Sequence, residues 1–398
     1  MILAANVGIL MAEDLNEWFQ KELEKRGITL TEQDYQEILR KLEEREWISA
    51  QPELYKELRK KALEALSGIV SSAQKQLEDI QKNVKEKIKL FPVEYDKSYG
   101  EMVALASDAS SYPIPLIISR LTMLSGITIR LPFRRKASIL ADVLVEDATM
   151  PEPEFRFIES AKRESMIPLS ITHYIVNNSD DKVKLALVDG PLSISQWYKE
   201  VWKSEKVKES VTELIESKNK LMQLCKERDM LLLGVVKRSR ATYFHNYFNL
   251  IDDFTDQFVF HSTLEYGTRT ESISMRKAIR QWKPKAKPKE LLINWLSYDI
   301  RGFYIKTSDH PLTPPVRVEY PEYLRDREDE IASYVLSTAI LSNDREFDGL
   351  PKAQCIAHRE CKVTKKVMEE IFKEQLFRTT SERGIRDILT PVRGYPIG

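Results

Sequence analysis

Six short apolar runs lie between residues 91 and 200, and charged segments with helical spacing flank them on both sides. The runs are LASDAS, PLIISRL, GITIRLPF, ASILADVLV, LSITHYIV and KLALVDG. Short apolar runs bounded by Gly, Pro, Ser and Asp are typical of buried strands. We therefore interpret each run as a strand of one sheet, with the block EFRFIESAKRES as a helix in the same region.

The rest of the chain alternates helical and strand patterns. Residues 12–90 and 203–230 are charged and almost free of Gly and Pro, which predicts helices. The strand-like runs MLLLGVVK, GFYIKTS and VRVEYP follow, and then a helix begins near AQCIAHREC. Interleaved strands and helices indicate an α/β fold. We divide the chain into an N-terminal helical region, 1–92, expected to make dimer or partner contacts, and a domain over 93–398 with C-terminal helices.

Composition limits the class of protein. The 61 basic and 61 acidic residues of this 398-residue chain balance, so any nucleic-acid-binding surface must be local. Three cysteines give no disulfide framework, and no apolar run reaches the roughly 18 residues of a membrane span. The first residues, MILAANVGILMA, lack the basic start of a signal peptide. We expect a soluble cytoplasmic protein, without ATP hydrolysis of its own because no GxxxxGK[ST] motif is present.

Two aspartates close predicted strands. Asp189 ends KLALVDG before the Gly190-Pro191 pair, and Asp108 ends LASDAS before Ser110 and the residues that follow it. An Asp followed by Gly or Ser is also found in ordinary turns. Carboxylate oxygens are, however, the ligands that Mn²⁺ and Mg²⁺ prefer. The two predicted strand ends together indicate a carboxylate metal site at the rim of the sheet.

The ordered segments SDAS, FIES, LVDGPL, LLGVVKRS, RVE and IAH resemble the NurA nuclease family over about residues 100–375. The resemblance implies that four residues bind metal and take part in catalysis, and that a strand lysine joins them. These residues are Asp108, Glu159, Asp189 and His358, with Lys237 as the lysine. Glu154 and Glu164 lie close to Glu159, and the sequence leaves open which of the three acids is the ligand.

Two positions depart from the family pattern: Ala109 replaces the glycine after the first Asp, and Leu350 replaces a tyrosine, so no tyrosine role is carried over. Cys355, His358 and Cys361 form a C-x-x-H-x-x-C string that also suggests zinc. On a helix the two cysteines diverge by about 120° around the axis. We interpret both cysteines as small apolar core residues.

The resemblance implies an RNase H-like core, a mixed sheet flanked by helices, in a homodimer. It also implies a Mn²⁺-dependent enzyme, with Mg²⁺ as the alternative ion. The implied activity is 5′-to-3′ exonuclease action on single- and double-stranded DNA, with some endonuclease action. A HerA-type hexameric ATPase is the implied partner in DNA end resection and double-strand break repair by homologous recombination, in archaea. The alternatives are a non-catalytic DNA-end-binding adaptor on this fold and a metal-dependent ribonuclease.

A basic segment, SMRKAIRQWKPKAKPKE, is the candidate DNA-binding surface. Basic side chains bind phosphates, and a tryptophan offers a stacking face to an unpaired base. A charge run of this kind is also typical of a solvated loop. A second, shorter basic cluster lies near residue 134. The candidate DNA-binding residues are Arg276, Lys277, Arg280, Trp282, Lys283, Lys285, Lys287, Arg134 and Arg135.

Overall fold

The computed structural model describes residues 52–115, 119–133, 135–147, 149–178, 182–194, 204–237, 239–250, 254–282, 291–342, 347–362, 370 and 374. The chain divides between Glu78 and Asp79 into two compact units. All strands of the described residues belong to the second unit, so this division precedes the boundary expected at residue 92. The role expected for the N-terminal region stays a prediction.

Eight α-helices are found in the described residues. They are α1 (Pro52–Lys87), α2 (Glu152–Asn177), α3 (Glu205–Glu227), α4 (Tyr243–Phe248), α5 (Asp256–His261), α6 (Met275–Trp282), α7 (Glu328–Thr338) and α8 (Lys352–Cys361). The helices predicted from the charged segments around residues 52–87 and 205–227 are confirmed. None of the helices in the described residues is both long and apolar enough to cross a membrane.

Ten strands of the described residues form one sheet. They are β1 (Leu90–Pro92), β2 (Ala104–Pro115), β3 (Ser119–Leu131), β4 (Arg135–Asp147), β5 (Leu185–Asp189), β6 (Leu231–Val236), β7 (Thr268–Thr270), β8 (Ile273–Ser274), β9 (Ile300–Ile305) and β10 (Val316–Pro321). The strand order is β1-β7-β9-β10-β6-β5-β2-β3-β4, and β8 pairs with β9.

The half of the sheet formed by β2 to β6 has the topology of the RNase H-like fold. Strands β2, β3 and β4 form an antiparallel meander, and β5 and β6 run parallel to β2 on its other side. The spatial order is therefore β4-β3-β2-β5-β6. Antiparallel β10 and its neighbours extend the sheet beyond β6. The predicted α/β fold, a mixed sheet flanked by helices, is confirmed.

Helices cover both faces of the sheet around β2. The Ser107 hydroxyl lies 2.7 Å from the hydroxyl of Ser170 on α2, whereas a carboxylate oxygen of Asp108 lies 2.7 Å from the ring of His358 on α8. Consecutive residues of a strand point to opposite faces. Helices α2 and α8 therefore lie on opposite faces. Coverage of both faces explains why nearly every residue of β5 and β6 is apolar and buried.

The strand predicted from LSITHYIV is wrong, because these residues form the C-terminal half of α2. Buried Ile167, Ile171 and Ile175 recur every four residues and pack on the sheet as one face of the helix. A short apolar run fits a buried helix as well as a buried strand, so the run alone could not distinguish the two. The preceding block EFRFIESAKRES is helical as predicted.

The end predicted for the strand at Asp108 is also wrong. Strand β2 continues to Pro115 because β3 pairs with it along its whole length, as far as Pro115 and Arg120. Pairing with β5, by contrast, stops at Ser107 and Val188. Among the described residues β2 has no strand partner on that side beyond Ser107. Pro113 is tolerated there, because a proline without an N–H suits a strand edge.

Candidate metal centre

Asp108 and Asp189 lie side by side where β2 and β5 separate. The last paired residues of these parallel strands are Ser107 and Val188, so the next residue of each strand is an aspartate on the same face. Strand β5 ends at Asp189, as the sequence predicted. The backbone turns away at Gly190, whose φ of 122° lies in a region that other residues rarely adopt.

His358 on α8 joins the two aspartates. Its Nδ1 lies 2.7 Å from Oδ2 of Asp108 and 3.6 Å from Oδ2 of Asp189. One potential ligand atom from each residue lies within 4.8 Å of the other two. The fold thus brings together three of the four residues that the family resemblance implied as metal ligands.

Two further side chains hold the carboxylate of Asp189. Lys237, just beyond β6, places Nζ 2.9 Å from Oδ2. Gln354 on α8 donates from Nε2 to Oδ1 at 2.6 Å and to the carbonyl oxygen of Val235 at 3.0 Å. Sequence reasoning missed Gln354, although its position one helical turn before His358 places both side chains on one face of α8.

The charges of these groups depend on one another. Burial alone would raise the pKa of Asp189, but hydrogen bonds from His358 and Lys237 and the charge of Lys237 keep this pKa below its usual value. Hydrogen bonds to Asp108 and Asp189 raise the pKa of His358 to about 9. The two carboxylates at the rim of the sheet therefore favour the protonated form of His358.

The donor set fits a divalent cation. Two carboxylates and one imidazole are ligands that Mn²⁺ accepts, and their atoms are close enough to share one ion. The buried Oε1 of Gln354 has no hydrogen-bond partner among the described residues and could accept a bond from a water ligand. Cys355 and Cys361 stay outside this group, and burial raises the pKa of each thiol to about 12, as expected of apolar core residues.

The three acids considered on α2 lie outside the three-residue group. Glu159 accepts a hydrogen bond of 2.8 Å from the hydroxyl of Ser111, on the face of β2 opposite Asp108. Glu154 accepts one from Ser204, which caps α3. Glu164, on the same helix, lines a cavity of about 20 Å³ together with Asp189 and Lys218. Of these acids, Glu164 shares a cavity wall with the metal centre.

The candidate DNA-binding residues are divided between described and undescribed parts of the chain. Lys277, Arg280 and Trp282 are exposed on α6, while Arg276 is half-buried and donates a hydrogen bond to the carbonyl of Leu296. Arg135 is the first residue of β4. The remaining candidates, Lys283, Lys285, Lys287 and Arg134, lie outside the described residues.

Known proteins show similarity to this chain in sequence pattern and fold. Residues 83–363 match the family model of the NurA domain. The structure is similar to the crystal structure of the NurA nuclease from Sulfolobus solfataricus, with 16% identity and a TM-score of 0.56 over 85% of this chain and 99% of that chain. A crystal structure of NurA with manganese has 10% identity and a TM-score of 0.52, over 82% and 99% of the chains. No curated protein matched the sequence.

Proposed function

Because the chain belongs to the NurA family, we propose that it is a metal-dependent DNA nuclease that hydrolyses phosphodiester bonds. The observation that carries this proposal is the convergence of Asp108, Asp189 and His358, from two strands and a late helix, on a space that one cation can fill.

Each residue of the metal centre has a separate role in the proposed reaction. Asp108 and Asp189 would hold the ion through carboxylate oxygens, and His358 would hold it through Nδ1 after losing its proton. Lys237 neutralises part of the charge of Asp189, and its ammonium would stabilise the negative charge that develops on the scissile phosphate. A bound Mn²⁺, or Mg²⁺ in its place, supplies Lewis acidity to activate the attacking water and stabilise the leaving oxygen. The similar NurA structure with manganese supports Mn²⁺.

We assign the helical acid of the site to Glu164. It lines the same cavity as Asp189, whereas the carboxylate of Glu159 accepts a hydrogen bond from Ser111, three residues beyond Asp108 on β2. Helix α2 runs antiparallel to β2, because Ser170 contacts Ser107 and Glu159 contacts Ser111. Glu164 is therefore closer to the level of Asp108 along the sheet than Glu159 is.

DNA is held by exposed basic residues and a stacking residue. Lys277, Arg280 and Trp282 on α6 support this role, and the basic run continues through residues 283–289 in the sequence. With zero net charge on the chain, phosphate binding depends on such local clusters. Family membership supports 5′-to-3′ exonuclease action on single- and double-stranded DNA, with some endonuclease action.

The protein acts as a homodimer with a HerA-type hexameric ATPase in DNA end resection. Family membership supports this assignment, and so does the lack of a GxxxxGK[ST] motif, because a processive end-resecting machine needs a motor from another chain. Light scattering of the purified protein should give the mass of two chains. A single-chain mass at micromolar concentration would contradict the homodimer.

The nuclease proposal is tested with end-labelled DNA and RNA of one sequence, single- and double-stranded, in Mn²⁺, Mg²⁺, Zn²⁺ or EDTA. We expect Mn²⁺-dependent cleavage of DNA and none in EDTA. Labels on the 5′ and 3′ ends separate the two polarities, and a circular substrate reports endonuclease action. DNA binding without cleavage in any metal would indicate the adaptor instead, and preferential cleavage of RNA would indicate a ribonuclease.

A further inference from the structure

The turn after Asp189 leaves the sheet and is buried. Ser193 and Leu192 are each 2% exposed, and Ile194 is fully buried. The N–H of Gly190 still bonds to the carbonyl of Val235 on β6. The polar backbone groups beyond Gly190 lie past the end of β5 and need partners from elsewhere, because an unpaired buried group is costly.

Lys218 on α3 supplies two of these partners. Its Nζ donates to the carbonyl oxygens of Pro191, at 2.9 Å, and Ser193, at 3.1 Å. The side chain is 4% exposed and lines the cavity that also contains Asp189 and Glu164. A lysine is almost never buried in this way unless its ammonium is paired, and here the two carbonyl oxygens are its partners.

Glu319 on β10 holds the same turn from another side. One of its carboxylate oxygens accepts the N–H of Ser193 at 2.8 Å, and the other accepts the hydroxyl of Ser193 at 3.0 Å. Arg317, two residues before it, fixes this carboxylate through Nε at 2.8 Å, and both side chains are buried. The turn is thus held between a buried ammonium and a buried carboxylate.

We propose that Lys218 is a positioning residue of the metal centre: with Glu319 it fixes the turn Gly190–Ser193 and thereby the carboxylate of Asp189. This inference rests on the proposed function, because Asp189 is taken as a metal ligand. Pro191 is two residues from Asp189, and the Gly190 carbonyl is closely packed on Gly234 of β6, so the turn cannot shift without moving Asp189.

The hydrogen-bond donors of Lys218 fit this task better than an apolar side chain would. Burial lowers the pKa of Lys218, and the nearby Glu164 and Glu319 oppose that effect. A methionine of similar length would fill the space but leave the buried carbonyl of Ser193 and the partly buried carbonyl of Pro191 without this donor. The turn would then move toward other donors, and the oxygens of Asp189 would move with it.

The experiment compares Lys218→Met with Lys220→Met, an exposed lysine on the same helix. Isothermal titration measures the Mn²⁺ affinity of each variant, and thermal denaturation measures its folding. The kcat is measured on labelled DNA at saturating Mn²⁺. Residues that orient metal ligands are typically worth about 10- to 100-fold in metal affinity. We expect Lys218→Met to weaken Mn²⁺ binding at least about 10-fold at a temperature where the variant is fully folded. Lys220→Met should bind like the wild type.

The possible outcomes separate the two proposals. A folded Lys218→Met that binds Mn²⁺ and cleaves like the wild type overturns the positioning role, and a lower melting temperature alone would show a merely structural one. A wild type that neither binds Mn²⁺ nor cleaves DNA overturns the proposed function itself. Should Lys218→Met fail to fold, Ser193→Ala removes one hydroxyl bond to Glu319. It should weaken Mn²⁺ binding measurably, and unchanged affinity there overturns the inference as well.

Discussion

His358 and Asp108 are separated by 250 positions in the chain, yet Nδ1 of the first lies 2.7 Å from Oδ2 of the second. Helix α8 makes this contact possible by lying on the face of the sheet opposite α2. The contact also has an electrostatic consequence, because the hydrogen bonds to Asp108 and Asp189 raise the pKa of His358 to about 9. At neutral pH the metal-free protein therefore carries a protonated imidazole at its metal centre.

Metal affinity should depend on pH through this imidazole. An ion must displace the proton from His358, so Mn²⁺ affinity should rise with pH and level off near the pKa of about 9. The expected slope is about tenfold per pH unit between pH 7 and 8.5, since about one proton is released per ion. Isothermal titration with Mn²⁺ at several pH values measures the affinity. Repeating it in buffers of different ionisation enthalpy gives the number of protons released per ion. His358→Gln should bind more weakly, with a flat pH profile, and an equally steep profile in that variant would show that another group titrates.

The acid on α2 can be identified with a matched pair of variants. Glu164→Gln should lower kcat at least about 10-fold, because it removes a carboxylate from the cavity beside Asp189. Glu159→Gln should stay within about threefold of the wild type, since an amide oxygen can still accept the hydrogen bond from Ser111. The reverse order of effects would show that Glu159 is the functional acid, as the family resemblance implied.

Gly234 is expected to be essential for the turn that positions Asp189. A Cβ atom at this position would lie 2.5 Å from the carbonyl oxygen of Gly190 and 3.1 Å from Leu192. Gly234→Ala should therefore cost about 1–3 kcal/mol in urea unfolding, and it should also weaken Mn²⁺ binding. Gly100→Ala is the control, because nothing lies within 4 Å of its Cβ position. Equal stability of the two variants would contradict the close packing of the turn on β6.

The salt dependence of DNA affinity should show whether α6 contacts DNA. If Lys277 and Arg280 contact phosphates, changing both to Ala should flatten the log–log salt slope by about 1.4 to 1.8. Trp282→Ala should cost about 1–3 kcal/mol with single strands and much less with blunt duplex, since stacking needs an unpaired base. Fluorescence anisotropy from 50 to 300 mM salt measures both effects. An unchanged slope in the double variant would mean that α6 does not contact the phosphate backbone.

Much of the sheet could be predicted from the sequence, because its buried strands leave a local signature. The apolar runs of β5 and β6 and the Gly190-Pro191 break after Asp189 are visible without any tertiary contact. Two errors, at residues 169–176 and at the end of β2, arose where long-range packing decides the outcome. Residues 169–176 fit a buried helix as well as a strand, and β2 continues past Asp108 because β3 pairs with it.

The supporting residues of the site were harder to find. Gln354 and Lys218 belong to no family segment, and Glu319 lies in the RVE segment but was given no role from it. Each of the three bonds to a partner on another element, at least 25 positions away. Their roles follow from the register of β5 and from the packing of α3 and α8, which the sequence alone does not specify. The ligands themselves were recognisable because their order along the chain resembles a known family.

The most direct test is to measure Mn²⁺ binding and DNA cleavage by Asp108→Asn and Asp189→Asn. Asp142→Asn, an exposed aspartate on β4, is the matched control. Both site variants should lose at least about 100-fold in cleavage and bind Mn²⁺ more weakly, while they fold and bind DNA like the wild type, and Asp142→Asn should behave as the wild type throughout. If either site variant kept more than a few per cent of wild-type cleavage while folded, the proposed metal centre would be contradicted.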